Sequence, residues 1–196
     1  MSASRDRDYW YDMNKVATET GTLAEDAAFW PAMDGRSLSG YERSLVLVNR
    51  SDATHIRFVD AAEAVGADDL LDGRAVAFAD LWNRGALDVV IANQEGPLLV
   101  YKNTVDPARH WIRFALSSAT KNRSAIGAQV SLTCNGRTQV QVVQAGSGFC
   151  SQNDLRLHFG LGSATRVERA LIRWPSGAEE IVAAPRVDAD NEVRGP

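Results

Sequence analysis

From Leu45 to Val182 the chain is cut into short runs rich in β-branched and aromatic residues, each ending at Gly, Asp, Asn or Pro. That punctuation leaves little room for paired helices and predicts a mainly β fold. The first runs are "LVLVNR", "IRFVDAAEAVG", "GRAVAFADL", "LDVVIANQ" and "PLLVYKN". A second β region follows Pro107. In "HWIRFALSS", Ile112, Phe114 and Leu116 share one face. "LRLHFGLG" sets Leu155, Leu157 and Phe159 against Arg156 and His158. "ERALIRWPSGAEEIV" gives a strand, a Pro-Ser-Gly turn and a return strand. Strands at this spacing predict an antiparallel sandwich or barrel.

One hairpin presents a conflict. "GAQVSLTCNGRTQVQVV" turns at Asn135-Gly136. A strict two-residue turn pairs Leu132 with Gln139, apolar against polar on one face. Even-with-even pairing needs an odd loop or a bulge, and that is the expectation.

Residues 1–45 read as an N-terminal extension, helical and irregular. Val16, Leu23 and Ala27 fall near helical spacing, interrupted at Gly21 and Thr22, so one or two short helices are expected. Trp10, Tyr11, Phe29, Trp30 and Tyr41 crowd this region. They suit either a ligand surface or anchors onto a neighbouring domain, and large buried aromatic area favours anchors.

The chain of 196 residues allows one large domain or two small ones. Its net charge of -4, without a Lys/Arg cluster, argues against nucleic acid as a partner. No stretch reaches the roughly 18 apolar residues of a membrane span. "MSASRDRDYW" lacks the apolar core of a signal peptide. Cys134 and Cys150 are too few for a disulfide framework; they read as two free thiols, with pairing the alternative.

Two stretches carry a family resemblance. Residues 72–103, "DGRAVAFADLWNRGALDVVIANQEGPLLVYKN", resemble an FG-GAP/VCBS-type repeat, the blade unit of integrin-like β-propellers. Residues 109–182 resemble the ASPIC/UnbV domain. The matching motifs are Ser147-Gly148, Ser151-Gln152-Asn153-Asp154, His158-Phe159-Gly160-Leu161-Gly162 and Trp174-Pro175-Ser176-Gly177. Together they look like the C-terminal end of a bacterial relative of the cartilage acidic protein family. The implied organisation is an extension at 1–45, a partial propeller-like repeat at 46–104 and an antiparallel ASPIC/UnbV-like sandwich at 105–196. One and a half blades cannot close a propeller, which implies a shortened or partial chain, or self-association through the incomplete propeller. The family is typically extracytoplasmic or secreted. The missing signal peptide then suggests that the chain lacks its native N-terminus, with a cytoplasmic protein as the alternative.

The repeats' calcium-binding version reads Asp-x-Asp-x-Asp-Gly-x-x-Asp. Here those places hold Asp80, Trp82, Arg84, Gly85 and Asp88. Half the carboxylates are gone and one replacement is a cation. Calcium wants six to eight oxygens, leaving Asp80, Asn83 and Asp88 as the candidate ligands. The competing reading has Arg84 forking onto Asp80 or Asp88 and supplying the charge a metal would give.

The polar run Ser151, Gln152, Asn153 and Asp154 is the candidate ligand loop, against the alternative that it closes turns on its own backbone. His55, His110 and His158 show no metal-ligand spacing, and His158 reads as structural. Ser147 or Ser151 with His158 and Asp154 lacks any nucleophile elbow. Trp174 alternates with Ile172 and is expected in the core. The resemblance implies a non-catalytic binding or assembly module for protein or glycan ligands. The alternatives are an accessory domain of a larger enzyme and a calcium-stabilised structural module.

Overall fold

The computed structural model describes residues 9–21, 27–32, 34–36, 41–94, 96–119 and 122–196. The chain divides into two compact units, Met1–Arg74 with Ala92–Leu99, and Ala75–Ile91 with Val100–Pro196.

The first unit opens with α1 (Tyr9–Thr20). Tyr9, Met13, Val16 and Ala17 form its apolar stripe, with Tyr9 and Met13 buried. Gly21, at φ 69°, ends the helix and donates to Ala17 O at 2.9 Å. Tyr9 donates its hydroxyl to Pro31 O at 2.8 Å. Arg36 pairs with Asp12 and lies over the Tyr9 ring. A 3-10 turn (Ala27–Phe29) takes up Ala27, while Leu23 lies outside the described residues. Tyr11, Phe29, Trp30 and Tyr41 stay about half exposed, so they are not the buried anchors expected of them. Tyr9 and Met13 occupy the buried positions instead.

Strands β1 (Leu47–Asn49) and β2 (Phe58–Asp60) pair antiparallel, Val48 opposite Val59. "DAAEAVG" was expected to be β-rich. Its Ala62–Val65 forms a short helix, α2, closed by Gly66 at φ 68°. Ala and Glu favour helix, and the glycine accepts the left-handed stop at no steric cost. Strands β3 (Gly73–Ala79), β4 (Asp88–Asn93) and β5 (Leu99–Tyr101) form a three-stranded sheet in that order.

The second unit holds β6 (His110–Ser118), β7 (Gln129–Cys134), β8 (Arg137–Val142), β9 (Leu157–Gly162), β10 (Arg169–Arg173), β11 (Glu179–Ile181) and β12 (Asp190–Gly195). They form two sheets, ordered β11-β10-β7-β8 and β12-β6-β9. The alternation in the sequence sets the inner faces. Ile112, Phe114, Phe159, Val130, Leu132 and Ile172 meet in one core with no exposure. Trp174 joins it, its indole donating to Glu180 Oε2 at 3.1 Å. Phe114 and Phe159 meet edge to face with centroids 6.0 Å apart. The fold is mainly β with several antiparallel sheets, and among the described residues no sheet closes into a barrel.

Two expectations are corrected here. The sheets are not wholly antiparallel: β12 runs parallel to β6, Asp190 opposite Arg113 and Val193 opposite Leu116. Its sequence, "DNEVRG", carries too few apolar residues to read as a strand. The Asn135-Gly136 hairpin also has no bulge. Leu132 pairs with Gln139 and Cys134 with Arg137, around turn residues at φ 49° and 67°. Both angles are what the two-residue type I′ turn demands. The apolar-polar mismatch is resolved by hydrogen bonds. Gln139 Nε2 donates to Gly160 O at 3.0 Å and Gln141 Nε2 to His158 O at 2.5 Å. The glutamines thus satisfy carbonyls along β9, so polar residues are tolerated on the inner face.

Cys134 is buried and Cys150 exposed, and both are free thiols. Among the described residues no helix is long and apolar enough to cross a membrane.

Candidate functional site

The loop at 80–88 lies over the face of the β12-β6-β9 sheet that points away from the core. Residues on that face come from the polar half of each alternating strand: Trp111 and Arg113 on β6, His158 on β9, Asp190 on β12. Asp190, Arg113 and His158 form one cross-strand row. Trp111 stacks on His158, with centroids 5.9 Å apart and rings 8° from parallel. Gly85 rests on the indole. A Cβ added there would fall 1.9 Å from Trp111 Nε1, and its φ is 78°. Glycine is therefore required twice, for close approach and for the left-handed backbone. His158 Nε2 lies 2.9 Å from Gly85 O, so this histidine serves the packing of the loop.

The loop's acidic residues are held by arginines. Asp80 accepts from Arg84 N at 3.0 Å, Gly85 N at 2.6 Å and Arg113 Nη1 at 2.9 Å. Asp88 accepts from Leu81 N at 3.2 Å and Asn103 N at 2.9 Å, and pairs with the Arg84 guanidinium. Asn83 Oδ1 accepts from Arg156 Nη1 at 3.1 Å and from Arg113 Nη2 at 3.4 Å. Every side-chain oxygen of the three candidate metal ligands thus meets a donor, and each of the three residues meets a guanidinium. That donor set does not fit calcium, because the guanidinium groups of Arg84, Arg113 and Arg156 already occupy these oxygens and would repel a divalent cation. Among the described residues no group of three or more His, Cys, Asp or Glu is placed to hold a metal.

Arg84 pairs with Asp88, as one half of the sequence reading has it. Asp80, however, takes its cation from Arg113, 33 residues away. The Arg113 side chain is 2% exposed and that of Asp80 is fully buried. Arg113 also forks onto both oxygens of Asp190 and lies over the Trp111 ring at 5.1 Å. The network continues through Arg156, whose Nη1 is 3.4 Å from Asp190 and which grips both oxygens of Asp154. The Arg113 hydrogen bond, then its charge, holds Asp190 below the usual carboxylate range against its modest burial. Burial pushes the Asp154 carboxyl up, but the hydrogen bonds and charge of Arg156 outweigh it and hold Asp154 low.

The polar loop is mostly spent on the backbone. Ser147 Oγ accepts from Asn153 N at 3.1 Å, and Ser151 Oγ donates to Ser147 O at 3.0 Å. Asn153 Oδ1 accepts from Phe78 N at 2.9 Å, and Asp154 N donates to Phe78 O at 3.0 Å. Asn153 and Asp154 therefore tie this loop to β3. Gln152 is exposed.

Beside this tie lies a cleft of about 440 Å³. Phe78, Leu87, Val140 and Val142 give it apolar walls. Gln141, Gln144, Ser147, Asn153 and Asp154 line it with hydrogen-bonding groups. Of the four candidate ligand residues, Asn153 and Asp154 line the cleft, and Ser151 and Gln152 do not. Phe78, Val140 and Val142 were missed in the sequence. The available signal was the even-numbered valines of "TQVQV", which a strict two-residue turn places on the outer face.

The geometry defines a two-sheet β unit closed on one face by an arginine-clasped acidic loop, with a groove at one strand edge. Residues 118–195 match the model of the ASPIC and UnbV family. No curated protein matches the chain.

Proposed function

We propose that the second unit is a non-catalytic binding module whose ligand lies in the cleft beside β8. One observation carries this reading: apolar walls and hydrogen-bonding groups converge on a single groove of about 440 Å³, the usual make-up of a binding site. The ionisable groups around it support the absence of a catalytic role. Asp154 is tied to Arg156, and His158 is spent on Trp111 and Gly85. The ligand class we favour is protein or glycan, met outside the cytoplasm, in keeping with the resemblance to the cartilage acidic protein family. We read residues 72–103 as a remnant of an FG-GAP/VCBS-type repeat whose metal has been replaced by Arg84 and Arg113.

The test uses the full chain against a displayed random-peptide library and a glycan array, with Val142→Asp as the variant. Val142 is exposed, so the melting temperature is expected to hold while binding to selected ligands falls. Ligands that bind the variant as well as the wild type overturn the reading, as does a failure to find any ligand.

A further inference from the structure

We infer that the cleft takes an extended polypeptide segment, which adds as a strand to the free edge of β8. This rests on the cleft being the binding site and commits it to one ligand chemistry.

The register settles which backbone groups are free. Around the two-residue turn Cys134 faces Arg137, and the hydrogen-bonded pairs recur at every second residue. The bond from Val143 N to Ala128 O, at 2.9 Å, continues the same series. Arg137, Gln139 and Gln141 therefore spend their backbone groups on β7. The N–H and C=O groups of Thr138, Val140 and Val142 point the other way, along the free edge, and Val140 and Val142 line the cleft. Their side chains are exposed as well, Val140 by 52% and Val142 by 41%.

The other edges of these two sheets are defended. On one side β11 is only three residues long and carries Glu179 and Glu180. On the other sheet β12 carries Asp190, Glu192 and Arg194. The β9 edge is capped by the amides of Gln139 and Gln141. Short edge strands, charges and caps are the usual protections against strand pairing. Strand β8 has none of them beyond Arg137: "TQVQV" is uncharged, free of Pro and Gly, and in unbroken register with β7.

The occupant follows from this chemistry. Unpaired N–H and C=O groups recurring at every second residue, about 6.8 Å apart, match another extended peptide. A sugar chain offers no such alternating row of donors and acceptors. Arg137 starts the strand exposed and pairs with no carboxylate among the described residues. The fitting segment is therefore β-branched or apolar at alternate positions, with an acidic residue at the end beside Arg137. The edge from Thr138 to Val142 is long enough for about five residues. Phe78 and residues 153–158 form the opposite wall of the groove, which suits a single strand better than the whole sheet of a second copy.

The experiment uses peptides selected from the random library and the full chain carrying Val140→Pro. Proline removes an N–H that β7 does not use, and edge strands tolerate it. We expect an unchanged fold, about tenfold or greater loss of peptide affinity, and slowed amide exchange at Val140 and Val142 in the wild type with peptide bound. If Val140→Pro unfolds, the exchange measurement on the wild type decides alone. Peptides that survive Val140→Pro and leave those amides unprotected overturn the inference, as do ligands that are glycans only. Sensitivity to Val142→Asp would in those cases leave the cleft reading standing. Protection of Val140 by dimerisation of the chain alone, seen by sedimentation, also overturns it.

Discussion

Replacing Arg113 with methionine removes the cation that serves Asp80 and keeps most of the side-chain volume. The Asp80 carboxylate is fully buried. It would retain only its backbone donors, Arg84 N and Gly85 N. Breaking a buried pair from one side costs about 3–5 kcal/mol, because a charge is left desolvated without a counter-charge. Asp190 adds little to this figure, since its side chain is 37% exposed and it keeps Arg156. For a chain of this size, about 2–4 °C per kcal/mol translates the loss into a fall in melting temperature of roughly 6–20 °C. Asp80→Asn should cost less, because Arg113 still holds Asp190. The double variant should recover part of the Arg113→Met loss, giving a coupling energy of about 2 kcal/mol. Urea unfolding of the four proteins measures all three quantities. A loss below about 1 kcal/mol for Arg113→Met, or strict additivity in the double variant, would show that Arg113 does not neutralise a buried Asp80 charge.

Three further outcomes follow from the same site. Saturating calcium against excess chelator should change stability by less than about 0.5 kcal/mol, whereas a ligand at a hundred times its Kd would add about 2.7 kcal/mol; calorimetric melting decides it. Gly85→Ala should cost several kcal/mol, since its Cβ would overlap the Trp111 indole. Gly136→Ala, also at positive φ but with nothing within 4 Å, should cost only about 1 kcal/mol; equal losses in denaturant melts would remove the close-approach argument. In acid, the folded-state pKa values of Asp154 and Asp190 lie below their unfolded values. Their contribution is therefore complete above the unfolded carboxylate range, near about pH 4, and is lost as pH falls through the folded values. Asp190→Asn should be less stable at neutral pH and should flatten the acid limb of the stability curve.

Much of the second unit was legible because strand alternation is local. Ile112, Phe114, Leu155, Leu157, Phe159 and Ile172 lie on the faces their spacing predicts, and "WPSG" turns where its residues say. The hairpin at Asn135-Gly136 shows where that logic stops. The turn residues specified a two-residue loop, while the apolar pattern argued for a bulge. The turn won because Gln139 and Gln141 find carbonyls on β9, a strand 15 or more residues away in sequence. The aromatics near the N-terminus were misjudged for a similar reason, since Tyr9 and Met13 fill the buried stripe of α1.

Local sequence was enough for the β character, the core faces of the long strands and the turn residues. Each depends on neighbours within a few residues, where backbone geometry and periodicity suffice. Long-range pairing alone set which cation meets Asp80 and which strand edge was left open. Arg113 reads locally as a solvent-facing residue of a strand; it is buried because the loop at 80–88 covers it, and it meets Asp80 across 33 residues of chain. The free edge of β8 is likewise a property of strand order. No stretch of sequence records which strand ends a sheet, because that is fixed by long-range pairing and by the burial that rewards it.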